Sequence, residues 1–105
     1  MAINTVISIK LMDGRAVDAT LNFARLRKLS VKHKELYKRY QKIISSTTYD
    51  ELSIAEIVYT AYVCANIDSD DIMDIEEFLE NLTPNREELF DIYQNKLQPR
   101  VDPKN

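Results

Sequence analysis

Residues 51–67, ELSIAEIVYTAYVCANI, decide the fold. Asp50 stands immediately before them and has the side chain of a helix N-cap. From Ile57 to Ile67 there is no charged residue. A helix over about 51–66 would therefore be apolar on nearly every side. Such a helix is buried, so the spacing predicts a central element that the rest of the chain covers.

Toward the C-terminus, Asp68-Ser69-Asp70-Asp71 reads as a polar turn. A helix over about 72–82 then places Ile75, Phe78, Leu79 and Leu82 on one face. Thr83 reads as an N-cap, with Pro84 at the first position of a last helix over about 85–97. Residues 98–105, QPRVDPKN, read as a loose tail.

Toward the N-terminus, Ser45-Ser46-Thr47-Thr48 breaks a helix over 31–46, whose stripe is Leu36, Tyr37, Tyr40, Ile43 and Ile44. Ser30 is its expected N-cap, after a short helix over 22–29. Before these the period is two. Ile3, Thr5, Ile7, Ile9 and Leu11 share one face, and Val17, Ala19 and Leu21 another, while Val6 breaks the alternation. Asp13-Gly14 between the two runs predicts a two-residue hairpin turn. The expected fold is mainly helical α+β: an N-terminal β-hairpin (3–21) and about five helices (22–97) in one compact domain, residues 1–97. A lone hairpin is marginal, so it must pack on helices or pair with another chain.

The chain has 105 residues with a net charge of −3, one Cys, one His and one Gly. One core is what this length can bury. Cys64 alone excludes an internal disulfide and a cysteine-rich zinc site. No run of residues is long and apolar enough to span a bilayer, and residues 1–14 lack the pattern of a signal peptide. An intracellular protein is the expectation.

The charge is unevenly spread. Residues 21–46 carry a balance of +7 and residues 50–91 a balance of −12. Two arrangements answer this. The segments can lie side by side and neutralise each other, or copies can associate head to tail. For the second, Arg25, Lys28, Lys38 and Arg39 would meet Asp70, Asp71 and Glu76. The acidic remainder argues against nucleic acid as a partner.

Residues 66–78, NIDSDDIMDIEEF, have the spacing of a calcium loop, with Asn66, Asp68, Asp70, Asp74 and Glu77 as ligands. Asp71 stands where that loop needs glycine, and Asn66 where it prefers Asp. The plainer reading is a joint between helices whose acidic residues cap the second one. No metal and no cofactor is expected. His33 sits between two lysines on a solvated face, and Cys64 is a buried, inert thiol. No phosphate loop, nucleophile elbow or histidine pair is present, so no enzyme is expected.

Tyr37/Tyr40, Tyr59/Tyr62 and Phe90/Tyr93 are aromatic pairs at i, i+3, each on one helix face. Core packing explains most of them. However, a small domain cannot cover every apolar face of the 51–66 helix. Tyr59 and Tyr62, followed by Tyr37 and Tyr40, are therefore the expected lining of an outward groove for an apolar partner helix.

The opening TVISIKLMDG, the junction TLNFARLRKLS and above all AEIVYTAYVCANIDSDDIMDIEEFLENL, followed by PNREEL, resemble the tail assembly chaperones of long-tailed bacteriophages and prophages of Gram-positive hosts. The resemblance runs over about residues 4 to 97. It implies a non-virion protein of the host bacterial cytoplasm. Such a protein binds the helical tape measure protein, keeps it soluble and helps tail tube protein polymerise around it. Members of the family often self-associate, and many also have a longer, frameshifted form. The resemblance carries no motif of binding residues. The rival expectations are an acidic interaction module built on residues 66–77 and a small nucleic-acid-binding regulator using Arg25 to Lys42.

Overall fold

A computed structural model of the chain describes residues 6–46 and 50–97. The expected strand positions Ile3 and Thr5, the helix-breaking Thr47 and Thr48, and the tail 98–105 lie outside the described residues. The described residues form one α+β unit, mainly helical, with the hairpin at its N-terminal end and five helices after it.

The central helix is α3 (Glu51–Ala65). Asp50 caps it by accepting the Ser53 N–H at 2.8 Å. Every residue from Ile54 to Cys64 is buried. All the other helices and the second strand pack on this one helix, as its uncharged face-to-face sequence requires.

Strands β1 (Ile7–Lys10) and β2 (Ala16–Ala19) pair antiparallel, with Ile7 opposite Ala19, Ser8 opposite Asp18, Ile9 opposite Val17 and Lys10 opposite Ala16. Ile9, Leu11 and Ala19 are buried, and Val6 points out, as the alternation predicts. The hairpin packs within its own chain. The Thr20 N–H donates to the Ala61 carbonyl of α3 at 3.0 Å, and the Met12 N–H to the Asn81 carbonyl at 2.7 Å.

The turn differs from the expected two-residue type. The Leu11 N–H donates to the Arg15 carbonyl at 2.8 Å, and the Gly14 N–H to the Leu11 carbonyl at 3.0 Å. The loop is thus three residues long, 12–14. Gly14 has φ +95°, and it is the one described residue with positive φ. Asp13 keeps ordinary backbone angles and uses its side chain instead, accepting the Arg15 N–H at 3.0 Å. A three-residue loop needs only its last position left-handed, and glycine supplies that.

Helix α1 (Phe23–Lys32) and helix α2 (Lys34–Ile44) meet at His33, three residues later than the expected break. Asn22 caps α1 by accepting the Arg25 N–H at 2.9 Å. Leu26 and Leu29 are buried, which holds the last turns of α1 in place. Ser30 is no cap: its hydroxyl donates to the Arg27 carbonyl at 2.6 Å, inside the helix. His33, with φ −133° and ψ 68°, makes the corner.

Helix α4 (Ile75–Asn81) starts three residues later than expected, with Asp74 accepting the Glu77 N–H at 2.9 Å. Helix α5 (Arg86–Asp91) is capped by Asn85, not Thr83. The Asn85 Oδ1 accepts the Glu88 N–H at 3.1 Å. Thr83 instead supports the cap, accepting the Asn85 N–H at 3.2 Å and donating to Glu88 at 2.8 Å. Beyond α5 the helix widens into π-helical turns, Ile92–Leu97. Ile92, Tyr93 and Leu97 of these turns are buried.

A Cβ on Gly14 would meet nothing within 4 Å. Gly14→Ala should therefore show the conformational cost alone, a loss of about 1–2 kcal/mol in urea unfolding with an unchanged denaturant slope.

Candidate functional site

The site grows from three pieces around the middle of α3. The α1–α2 corner gives one wall, with Val31 and Leu36; Tyr59 and Val63 of α3 give the floor; and Ile72 and Ile75 give the far wall. The open groove between them holds about 740 Å³ and is mainly apolar inside. Lys32, His33, Lys34 and Arg39 stand on its rim, with Glu35 and Asp74 as the acidic members. Val31 is 67% exposed on the groove wall.

The far wall is fixed by Tyr59 and Tyr62. The Tyr59 hydroxyl donates to the Met73 carbonyl at 2.9 Å, and the Tyr62 hydroxyl accepts the Met73 N–H at 2.8 Å. Both backbone groups of one residue are thus held by two tyrosines from successive turns of α3. This also explains the late start of α4, because Met73 has no backbone group left for a helix. Both rings pack on Phe78, with centroid separations of 5.3 Å for Tyr59 and 5.1 Å for Tyr62. Burial pushes the Tyr59 phenol up from its ordinary pKa.

These positions correct the expected outward aromatic groove. Tyr59 and Tyr62 are 8% and 4% exposed, so they are core residues that shape the loop. Tyr59 forms part of the groove floor, but its hydroxyl faces Met73. Tyr37 and Tyr40, with rings 6.4 Å apart, are half-buried against the core and do not line the groove. The domain can cover α3 completely because residues 68–74 pass over it as non-helical chain rather than as helix.

The proposed calcium ligands do not converge. Asn66 donates to the Tyr62 carbonyl at 2.8 Å and to the Asp18 carbonyl at 3.4 Å. Asp68 accepts from Lys28 and Lys32, Asp74 caps α4, and Glu77 accepts from Arg15 at 3.3 Å. Asp70 is exposed on the turn. Among the described residues no group of three acidic, histidine or cysteine side chains could hold a metal ion. An open polar cleft of about 600 Å³ lies between β2 and this segment, lined by Arg15, Asp18, Asn66 and Asp71 among others.

The charge asymmetry is met in part within the chain. Lys28 and Lys32 reach Asp68 at 3.2 and 3.0 Å. Arg39 makes a two-pronged pair with Glu56, whose side chain is only 10% exposed on α3. Lys28 and Arg39 are therefore engaged at home. Arg25 is half-buried, and its charge acts on Cys64. That effect is small against desolvation, which pushes the Cys64 thiol up to about 12 and keeps it un-ionised. Lys38, Asp70, Asp71 and Glu76 are exposed.

Sequence reasoning missed the groove because it placed the α1–α2 break at Ser30. The signal was Val31 itself, an apolar residue off the buried Leu26/Leu29 stripe. No helix among the described residues is long and apolar enough to cross a membrane. No protein-family model matches this chain, and neither a curated protein nor a solved structure does.

Two expectations test the site. Tyr62→Phe leaves the buried Met73 N–H without its acceptor, and should cost about 1–3 kcal/mol in chemical denaturation with faster amide exchange at Met73. The second concerns Asp68, whose carboxyl is held below its ordinary pKa by its hydrogen bonds to Lys32 and Lys28. A lowered folded pKa means the tie is intact above the ordinary carboxylate range and lost as pH falls through the lowered value. In an NMR titration, Lys28→Met with Lys32→Met should return the Asp68 midpoint toward its ordinary value.

Proposed function

We propose that this protein is a non-enzymatic tail assembly chaperone of the long-tailed phage type. It binds the helical tape measure protein, keeps it soluble and promotes assembly of the tail tube protein around it. The observation that carries this reading is the groove at the α1–α2 corner: an apolar floor, an exposed Val31 and a basic rim. A long helix with an apolar stripe aggregates when left bare. A groove of about 740 Å³ takes the side chains of a turn or two of such a helix, in the manner of helix-in-groove recognition. Lys34 on the rim favours a client stripe with a carboxylate beside it. The sequence resemblance over residues 4 to 97 supports the same reading.

On this reading the protein works in the host bacterial cytoplasm and leaves before the virion matures. Weak sites on self-associated copies would gain avidity along one client. The test is co-expression with a tape measure segment, followed by measurement of the soluble client fraction. Val31→Asp places a charge on the exposed wall without touching the core. It should keep the fold and weaken client capture about tenfold, the worth of one buried valine. Unchanged capture by the folded variant would remove the groove from the reading.

A further inference from the structure

Hydrogen bonds along an antiparallel pair alternate, so one bond sets the phase of the whole hairpin. The Leu11 N–H donates to Arg15, so Leu11, Ile9 and Ile7 turn their backbone groups toward β2. Ser8 and Lys10 turn theirs away. The same phase holds on β2, where two of the outward groups are taken up: the Thr20 N–H meets the Ala61 carbonyl of α3, and the Asp18 carbonyl accepts from Asn66, the C-cap of that helix. On β1 the outer edge is closed only at Met12, by the Asn81 carbonyl. Among the described residues nothing pairs with the outward backbone groups of Ser8 and Lys10. A sheet edge of this kind is a template for another strand.

We infer that the outer edge of β1 pairs with β1 of a second copy of this chain, antiparallel, about a two-fold axis at Ile9. The register follows from charge. Ser8, Lys10 and Asp18 are all exposed on the outer face of the hairpin, and Ser8 stands opposite Asp18. With the axis at Ile9, Lys10 of one copy lies opposite Ser8 of the other. One strand further across lies that copy's Asp18. Two strand spacings put the Lys10 and Asp18 Cα atoms roughly 10 Å apart, within reach of an extended lysine and a carboxylate. The two-fold axis makes the pair twice. Moving the axis to Ser8 would set Lys10 against Val6 and lose both pairs, and a one-residue slip would misphase the backbone groups. The edge is therefore complementary to itself in one register. The resulting four-stranded sheet relieves the marginal stability of two strands. Its contacts are few, so the dimer depends on concentration and weakens with salt. This inference stands without the client reading and uses none of the groove residues.

The test is solution mass by light scattering from micromolar to millimolar protein, with amide exchange of Ser8 and Lys10. The expected result is a monomer–dimer equilibrium with both amides protected in the dimer. Lys10→Asp and Asp18→Lys, each at an exposed position, should each weaken it about tenfold or more. An equimolar mixture of the two variants should restore the dimer, because each copy then faces an opposite charge across the axis. An attraction within one chain would not produce that recovery. A monomer at every concentration would overturn the proposal. So would a dimer whose Ser8 and Lys10 amides stay unprotected, or a mixture no better than its parts.

Discussion

A helix with no solvent face must find a protein partner for every polar group it carries, and α3 is such a helix. Burial of eleven successive residues from Ile54 to Cys64 removes water as a partner for Glu56, Tyr59, Thr60 and Tyr62. Each is answered locally. Glu56 takes Arg39 of α2, Thr60 donates back to the Glu56 carbonyl at 2.9 Å, and the two tyrosines take the backbone of Met73. These answers decide where the neighbours go. Arg39 fixes the face of α2, and Met73 fixes the path between α3 and α4. No buried side-chain nitrogen or oxygen among the described residues is left without a hydrogen-bond partner, as a core with so few polar atoms requires.

The surface ion pairs have a different part. Lys28 and Lys32 on Asp68, Arg15 on Glu77 and Arg86 on Glu51 are all substantially exposed. Pairs of this kind contribute little to stability. What they do is orient: Asp68 ties the turn after α3 to α1, and Glu77 ties α4 to the hairpin turn.

The order of elements was legible because its signals are local. The uncharged run from Ile57, the alternation about Asp13-Gly14 and the acidic residues before α3 and α4 all report on neighbours in sequence. The caps were less so: Asn85 rather than Thr83 caps α5, and Ser30 lies inside α1, so that α2 starts after His33 without a side-chain cap. The candidate site was legible least. Tyr59 and Tyr62 were read as surplus apolar area. Their burial depends on Met73 and Phe78, eleven to nineteen positions away, and no periodicity encodes that. Internal neutralisation of Lys28 and Arg39 likewise depends on partners seventeen or more positions distant.

The chain contains six tyrosines and no tryptophan. Its near-ultraviolet spectrum is therefore a tyrosine spectrum, and two of the rings share a wall with Phe78 and hydrogen-bond one peptide. Asymmetric, dry surroundings give such rings strong circular dichroism, whereas Tyr37 and Tyr40 are half-wetted. The tyrosine bands thus report the seating of the segment over α3, without a label and apart from overall helicity. A state that kept its helices but released Met73 would be visible as a weakening of those bands, with the buried Tyr93 still contributing.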